Sequence, residues 1–291
     1  MINFVKYVAA AVMLAVMSVS AAAEKASING GDIFYESVGS GPPILIMHGG
    51  LGLSHDYLRP YFDELSKTHT VVYYDHFGNG RSSKPDDYAE MNFDRLVSDA
   101  SGLMEHLGHK KFSLIGHSYG GFIAQKFVAE KEASLDKLIL IDTVPAFDYK
   151  PTVSGTEAQM QAFGKLFSAP MADDADWKAT WNPVVQMYFH KWDEKVGADL
   201  DKRTVYEHRA WNAAGALLGT FNMLEQLPKI TTPTLVIAGR HDGITPPEFG
   251  AERIASLIPN ASLMIFEDSG HYPFIEEQAS FFEKVSSWLK K

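Results

Sequence analysis

Ser118 stands at the centre of a pentapeptide that suits a nucleophile, Gly-His-Ser-Tyr-Gly at positions 116–120. A strand-like apolar run, Phe112–Ile115, comes directly before it, and a helical pattern follows it. A sharp strand-to-helix turn strains the backbone of its central residue, and small neighbours let the turn close. The turn also places the next backbone N–H, that of Tyr119, at a helix N-terminus, where negative charge is favoured. Taken alone, the pentapeptide is equally compatible with an ordinary glycine-rich turn that exposes a serine.

Two further residues complete a set that could activate this hydroxyl. Asp242 follows the apolar run Thr234–Ala238, and His271 follows the run Ser262–Phe266. Because the carboxyl ends of parallel strands share one edge of a sheet, these side chains should meet Ser118 there. A serine needs an imidazole to take its proton, and the imidazole needs a carboxylate to fix its tautomer. We therefore predict a catalytic triad of Ser118, Asp242 and His271.

A second carboxylate competes with Asp242 for the role of the acid. Asp142 also ends a strand-like run, Leu138–Ile141, and would reach the same edge of the sheet. We predict that Asp242 is the acid and keep Asp142 as the alternative.

Acyl transfer also requires two backbone donors for the oxyanion. The N–H of Tyr119 is the first candidate, because it directly follows the nucleophile. The second should come from the loop His-Gly-Gly-Leu-Gly at 48–52, which follows the apolar run Ile44–Met47. Its glycines can turn a backbone N–H toward the cleft with no Cβ in the way. We choose Gly50 as this donor.

Short apolar runs rich in β-branched residues alternate with longer amphipathic segments along the chain. This alternation predicts an α/β fold with a mostly parallel central sheet flanked by helices. An early segment, Ile28–Val38, has two glycines in its middle and predicts an antiparallel hairpin at the sheet edge. The predicted strands are Ile44–Met47, Thr70–Tyr74, Phe112–Ile115, Leu138–Ile141, Thr234–Ala238 and Ser262–Phe266. The predicted helices are His55–Ser66, Phe93–Leu107, Tyr119–Glu130, Pro247–Leu257 and Phe274–Leu289.

The alternation stops between Val144 and about Leu227, where no strand-like run occurs. The composition there favours helices, and four of the five tryptophans fall in this stretch, all but Trp288. Such a concentration of rings suits either packing over a cleft or the core of a lid. We predict a core made of residues 24–144 and 228–291, with a helical cap at 145–227 inserted between them.

The N-terminal segment has the features of a secretory signal peptide. Lys6 precedes an uncharged stretch at 7–23, shorter than the roughly 20 residues that a spanning helix needs. Ala21 and Ala23 are small residues at the positions that cleavage before Glu24 requires. We predict a signal peptide at 1–23 and an exported protein, periplasmic or secreted, with no stable membrane insertion after processing. The alternative is an uncleaved membrane anchor.

Composition and charge exclude several other classes of protein. Of the 291 residues, 46% are hydrophobic and 21% are charged, which is typical of a folded domain. The formal net charge of -10 repels phosphate backbones, so we predict no nucleic acid partner. The chain has no cysteine, which excludes disulfides, thiolate metal sites and a cysteine nucleophile. His106 and His109 have no third ligand in their neighbourhood of the sequence, so we predict no metal site.

Four stretches of the chain resemble the α/β-hydrolase superfamily over the predicted mature protein, and more narrowly its proline iminopeptidase branch. They are 48–52 with Ser-His-Asp-Tyr-Leu at 54–58, Asp-His-Phe-Gly-Asn-Gly-Arg-Ser at 75–82, Gly-His-Ser-Tyr-Gly-Gly at 116–121, and Gly-His-Tyr-Pro at 270–273. The resemblance implies the triad of Ser118, Asp242 and His271. It also implies an oxyanion hole formed by the amides of Gly50 and Tyr119, a helical cap, and no cofactor.

The chain departs from the narrower pattern in two loops and in the predicted cap. Leu51 stands where that branch usually has Pro, and His76 stands where it usually has Gln. Iminopeptidases of this kind hold the free amino group of the substrate with cap carboxylates. The stretch 211–220, where one such glutamate is expected, contains none.

Two glutamates near that stretch are candidates to replace the missing carboxylate. Glu207 lies four residues before Trp211 and would share a helical face with it. We predict that Glu207 and Trp211 bind substrate, with Glu225 as the other candidate for the carboxylate.

These residues together predict a serine hydrolase that works through an acyl-enzyme. In the manner of a proline iminopeptidase, it would release N-terminal residues from small peptides or amides. The alternative is a carboxylesterase or lactonase that acts on small esters. A non-catalytic binding protein on the same fold is a third class, but it would have no need for an intact triad. The expected partner is a small-molecule or short-peptide substrate, and the sequence makes no prediction of oligomeric state.

Overall fold

An eight-stranded sheet lies at the centre of the computed structural model, which describes residues 22–291. The predicted signal peptide lies outside the described residues except for Ala22 and Ala23, which begin the first strand. The strands are β1 (Ala22–Ile28), β2 (Gly31–Gly39), β3 (Pro43–Met47), β4 (Thr70–Tyr74), β5 (Phe112–His117), β6 (Leu135–Ile141), β7 (Thr234–Gly239) and β8 (Ala261–Phe266).

The order of the strands places β5 in the interior of the sheet, between β3 and β6. The full order is β1-β2-β4-β3-β5-β6-β7-β8, and the neighbours from β4 to β8 in that order are all parallel. The first two strands form an antiparallel hairpin at one edge, which confirms the predicted hairpin, and β2 continues antiparallel to β4. The α/β fold with a mostly parallel sheet is therefore confirmed.

Helices cover both faces of the sheet. The α-helices are α1 (Phe93–His106), α2 (Tyr119–Lys131), α3 (Glu157–Ser168), α4 (Asp174–Val185), α5 (Glu194–Arg203), α6 (His208–Leu218), α7 (Ala251–Leu257), α8 (Pro273–Glu276) and α9 (Gln278–Leu289). Buried residues of α1, α2 and α7 pack in one apolar cluster, and those of α9 pack in another on the opposite face. Because the inner strands are buried on both faces, they read in the sequence as continuous apolar runs.

One predicted helix is wrong, and two others have different bounds. The segment predicted as the helix His55–Ser66 forms two short 3₁₀ helices, His55–Leu58 and Tyr61–Lys67. Pro60 separates them, because a proline has no amide hydrogen with which to continue a helix. The segment from Pro247 first forms a turn, so α7 begins only at Ala251, and the predicted C-terminal helix is divided into α8 and α9.

Helices α3 to α6 all lie between β6 and β7, in the stretch where the sequence predicts helices. An isolated bridge between Ala146 and Asn222 brings the two ends of this insertion together. The indole N–H of Trp177 donates a hydrogen bond to the Gly52 carbonyl at 3.0 Å, and its ring stacks on that of Trp211 at 4.6 Å. The insertion is therefore fixed to the loop that follows β3. Within residues 22–291, none of the helices has both the length and the apolar character that crossing a membrane requires.

A buried ionic cluster ties the loop after β3 to the loop after β4. Asp75, the residue after β4, accepts hydrogen bonds from the backbone N–H of His55 at 2.9 Å and from its ring Nδ1 at 2.7 Å. Its other carboxylate oxygen accepts a bond from the Arg81 backbone at 2.7 Å. Burial alone would lower the pKa of His55, but Asp75 and the nearby Glu36 outweigh it and raise that pKa to about 9. His55 is therefore a buried cation at neutral pH.

This cluster predicts a specific loss of stability in alkaline solution. The folded protein holds a proton on His55 up to about pH 9, whereas an unfolded chain releases it near the ordinary pKa of 6.5. The resulting stabilisation is complete below pH 6.5 and is lost as the pH rises through 9, by on the order of 3 kcal/mol. Urea denaturation of the wild type should show this fall in the free energy of unfolding. The pH dependence of the free energy of unfolding should weaken in His55→Gln. It should be unchanged in His106→Gln, a substitution at an exposed position. An equal slope in His55→Gln would contradict the assignment.

Candidate active site

Ser118 occupies the turn between β5 and α2 in a strained backbone conformation. Its φ is 52° and its ψ is -120°, a region that residues with a Cβ rarely adopt. The backbone N–H of Ser118 donates to the Ile141 carbonyl at 2.9 Å, and its carbonyl accepts from the Gly121 N–H at 2.8 Å and from the Thr143 hydroxyl at 2.9 Å. These bonds, made on both sides of the residue, hold the strained turn in place.

The glycines that flank this turn are required by close packing. A Cβ on Gly120 would lie 2.1 Å from the Met47 carbonyl oxygen, so α2 could not lie against β3 with any larger residue there. A Cβ on Gly116 would lie 2.6 Å from the Gly120 carbonyl oxygen. The small residues that the sequence offers around Ser118 are therefore what lets α2 begin directly at the end of β5.

His271 follows β8 and lies in the loop that leads to α8. Its Nδ1 donates a hydrogen bond to Oδ2 of Asp242 at 2.8 Å, and both side chains are buried. Its backbone N–H is held by the Tyr188 carbonyl at 2.6 Å. Its Nε2 is buried and has no hydrogen-bond partner in the described part of the chain. This nitrogen can therefore accept a proton from a hydroxyl group that approaches it.

Asp242 is held by a set of donors at the end of β7. Its Oδ1 accepts from the backbone N–H groups of Ile244 at 2.8 Å and Thr245 at 3.1 Å, and its Oδ2 accepts from the Thr245 hydroxyl at 2.5 Å. Burial alone would raise the pKa of Asp242, but His271 and the Thr245 bonds lower it to about 2. Asp242 is therefore ionised, and it keeps the proton of the imidazole on Nδ1.

Of the two acids considered from the sequence, the imidazole contacts Asp242. Asp142 lies close by, and possible ligand atoms of Asp142, Asp242 and His271 all fall within 4.8 Å of one another. The Oδ1 of Asp142, however, accepts its hydrogen bond from the Gly239 N–H at 2.9 Å rather than from the imidazole. A second group of possible metal ligands, Asp174, Glu207 and His208, lies in the insertion, where Asp174 is hydrogen-bonded to His208 at 2.7 Å and Glu207 pairs with Arg209.

The two predicted oxyanion donors line the same cavity as Ser118 and His271. Gly50 has a φ of 70°, the left-handed conformation that glycine adopts without cost, and its carbonyl accepts from the Leu53 N–H at 3.1 Å. Tyr119 is the first residue of α2, so its N–H lies at the positive end of that helix. Both positions suit donation to an oxygen that gains negative charge beside Ser118.

A chain of hydrogen bonds that the sequence analysis did not single out joins three of these loops. The Gly49 N–H donates to the Tyr57 hydroxyl at 2.6 Å, and that hydroxyl donates to Nδ1 of His117 at 2.5 Å. Nε2 of His117 in turn donates to the His271 carbonyl at 2.9 Å. Burial raises the pKa of Tyr57 and lowers the pKa of His117 well below its usual value, so the hydroxyl keeps its proton and the ring is neutral. Both residues stand in motif stretches, which is the signal that could have identified them.

The cavity beside Ser118 is small and mostly apolar. Its volume is about 290 Å³, near the lower limit of ordinary ligand pockets. Among the described residues 22–291, no side chain that lines it carries a carboxylate, ammonium or guanidinium group. Its rings come from the core and the insertion: Tyr57, Tyr119, Phe122, Phe147, Tyr149, Phe163, Phe167, Trp177, Trp181, Tyr188, Trp211 and Tyr272.

The two residues predicted to bind substrate are placed differently. Trp211 lines the cavity. Glu207 is buried but is not among the lining residues, and its Oε1 accepts a hydrogen bond from Arg209 at 2.9 Å. Glu225, the other candidate carboxylate, is exposed and also lies off the cavity.

Comparison with known proteins agrees with this architecture. Residues 42–170 and 163–278 match the family model described as the alpha/beta hydrolase fold. A proline iminopeptidase of Saccharolobus solfataricus is 28% identical over 276 residues, which cover 88% of this chain and 87% of that protein. An esterase from Exiguobacterium antarcticum has a similar structure, with a TM-score of 0.78, 24% identity, and coverage of 92% of this chain and 99% of that one. The enol-lactonase from Burkholderia xenovorans gives a TM-score of 0.75 at 23% identity, with coverage of 92% and 100%.

The hydrogen-bond chain through Tyr57 generates a prediction. Tyr57→Phe removes the acceptor for the Gly49 N–H and the donor for His117, which frees the loop that carries Gly50. Because loss of a complete oxyanion donor costs about 10²–10³ in turnover, loosening this loop should lower kcat about tenfold or more, with little change in KM. Steady-state hydrolysis of a chromogenic acetate ester measures both values. Tyr61→Phe is the matched control and should behave like the wild type. An unchanged kcat in Tyr57→Phe would show that the chain of bonds has no role in turnover.

Proposed function

The chain belongs to the α/β-hydrolase family, and we propose that it is a serine hydrolase whose substrate is a small, neutral, largely apolar ester or lactone. The observation that carries this proposal is the cavity, in which Ser118 and His271 face a lining that is mostly aromatic and aliphatic, with no carboxylate, ammonium or guanidinium group among the described residues. Proline iminopeptidases are related to the chain in sequence, and esterases and lactonases are similar to it in structure.

In the proposed mechanism, the hydroxyl oxygen of Ser118 attacks the carbonyl carbon of the substrate. His271 takes the hydroxyl proton on Nε2, and Asp242 stabilises the imidazolium through Nδ1. The amides of Gly50 and Tyr119 donate to the oxyanion of the tetrahedral intermediate. The imidazolium then gives its proton to the leaving alcohol, and a water molecule, activated by the same imidazole, hydrolyses the acyl-enzyme on Ser118.

The lining of the cavity favours one of the two substrate classes. An aminopeptidase must bind an ammonium group, and removing such a charge from water without a partner costs several kcal/mol. A single ring face attracts a cation by about 0.5–1 kcal/mol when exposed and by about 2 kcal/mol or more when desolvated, whereas a carboxylate would pair with the ammonium group directly. The cavity therefore favours a neutral acyl or alkoxy group, and the residues 145–227 act in this proposal as the cap that encloses it.

Proline iminopeptidase activity is the second candidate, because relatives that bear that name are 26–28% identical over most of the chain. It would require a carboxylate near the site. Glu207 is the candidate in the insertion, but it would have to leave Arg209 and turn toward Trp211, which lines the cavity. This requirement makes the iminopeptidase the less favoured of the two.

A matched set of substrates separates the two activities. We expect measurable hydrolysis of short-chain aryl esters and a small lactone, and little hydrolysis of prolyl-naphthylamide, because no carboxylate of the described residues lines the cavity to pair with its ammonium group. N-acetyl-prolyl-naphthylamide lacks that charge and should be no worse a substrate than the free amine. Steady-state kcat/KM on each compound is the measurement.

The opposite order would establish the iminopeptidase. Strong preference for the free prolyl amide over its acetylated form would contradict the ester proposal. In that case Glu207→Gln should raise the KM for the prolyl amide and leave ester hydrolysis nearly unchanged. Glu225→Gln, at an exposed position away from the cavity, is the control for that variant.

A further inference from the structure

Two buried carboxyl groups lie side by side behind the catalytic imidazole. Asp142 follows β6 and Asp242 follows β7, and these strands are parallel neighbours. Asp142 is fully buried and Asp242 is 3% exposed. Their carboxyl oxygens and a ring nitrogen of His271 lie within 4.8 Å of one another. The proposed mechanism gives roles to Asp242 and His271 but none to Asp142.

The donors in this region are shared unequally between the two aspartates. Asp242 accepts bonds from two backbone amides, from the Thr245 hydroxyl and from His271. Asp142 accepts one bond, from the Gly239 N–H to its Oδ1. Its Oδ2 is buried and has no partner among the described residues. An ionised carboxylate buried with a single donor would be strongly destabilised.

The charged and titratable groups around Asp142 give it no cation of its own. Asp242 and Glu276, which belongs to α8, act on it as like charges, and Tyr272 lies close enough to be affected by it. His271 could carry a positive charge, but its Nδ1 is bonded to Asp242. Two like charges this close in a buried site cannot both be ionised. Burial first and Asp242 second raise the pKa of Asp142 well above its usual range.

We propose that Asp142 is a protonated carboxylic acid that donates a hydrogen bond from Oδ2 to the carboxylate of Asp242 and so positions Asp242 for His271. The O–H group supplies the partner that Oδ2 otherwise lacks. The added donor fixes the orientation of Asp242 and lowers its basicity, so the shared proton of the imidazole stays on Nδ1. Asp142 is thus a positioning residue, and this role rests on the proposed function of Asp242 and His271.

The backbone of Asp142 is consistent with a residue held for such a purpose. Its φ is 44°, in the left-handed region, and its N–H donates to the Ile237 carbonyl at 2.9 Å. A strained conformation of this kind persists only where the surrounding structure enforces it. Here the strained backbone directs the side chain of Asp142 toward the end of β7, where it accepts from the Gly239 N–H.

Asp142→Asn tests the protonation state through activity. The amide keeps an oxygen for the Gly239 N–H and offers an N–H to Asp242, but it cannot ionise. If Asp142 is already neutral, kcat/KM should stay within about threefold of the wild type, and the acid limb of its pH profile should not move. Asp142→Ala, which lacks the donor, should lose about tenfold or more in kcat. Asp242→Asn should cost about 10⁴ in kcat, since it favours the wrong tautomer of His271.

Two outcomes of these assays would overturn the proposal. If Asp142→Asn moves the acid limb of the profile by about one pH unit or more toward acid, a negative charge has been removed beside His271 and Asp142 is ionised in the wild type. If Asp142→Asn is as damaging as Asp242→Asn, Asp142 is itself the catalytic acid.

Infrared spectroscopy tests the same proposal without using activity. At neutral pH the wild type should show the carbonyl stretching band of a buried carboxylic acid, and Asp142→Asn should lack it. Glu276→Gln is the control, because burial also raises the pKa of Glu276, and in that variant the Asp142 band should persist. A wild type without such a band, or a band that Asp142→Asn retains, would refute the proposal.

The infrared result also separates this proposal from the proposed function. Ser118→Ala leaves the pair of aspartates intact, so it should keep the band while it loses hydrolysis. If Ser118→Ala retains hydrolysis while the band is present, the proposed mechanism through Ser118 is contradicted. The proposal that Asp142 is protonated is still supported. Should Asp142→Asn not fold, as judged by circular dichroism, Asp142→Ser provides the same comparison with a smaller neutral side chain.

Discussion

The backbone of Ser118 is held at a φ of 52° because the chain must turn directly from the end of β5 into α2 at this residue. Strand β5 lies inside the sheet, and α2 begins at Tyr119 and packs against β3 with no space for a Cβ at Gly120. This tight turn places Ser118 at the carboxyl edge of the sheet, where Tyr119, the first residue of α2, lines the same cavity. The loops after β3, β7 and β8 can contribute to the site only because that edge is common to all of them.

The residues around this turn also explain how separate loops keep fixed positions relative to one another. Tyr57 and His117 connect the backbone of Gly49 to the backbone of His271, so the loop after β3 and the loop after β8 share one chain of hydrogen bonds. Trp177 reaches from the insertion to the Gly52 carbonyl. The insertion therefore does more than supply rings to the cavity, since it also anchors the loop that carries Gly50. Polar groups here hold the loops around Ser118 in place, while the cavity beside it is lined mostly by apolar side chains.

Much of this arrangement could be predicted from the sequence because strand ends are easy to recognise. Asp242 and His271 each follow a short apolar run. A parallel sheet brings the carboxyl ends of its strands together, however many residues separate those strands along the chain. The position of a carboxylate within the insertion could not be predicted in the same way. Glu207 does not share a helical face with Trp211, because it is the extended N-cap residue before α6, and its carboxylate pairs with the neighbouring Arg209 rather than reaching the cavity. The proton on Asp142 likewise depends on how close two strand ends approach in space, which spacing along the chain does not determine.

Covalent trapping of the nucleophile is the most direct test of the central claim, that the strained turn presents Ser118 as an activated nucleophile. The purified protein is incubated with an alkyl fluorophosphonate, digested, and mapped by mass spectrometry. The account predicts one stoichiometric adduct on the peptide that contains Ser118, slowed by an excess of a competing ester and absent in Ser118→Ala. Failure of the wild type to react, or an adduct on another residue that persists in Ser118→Ala, would contradict it.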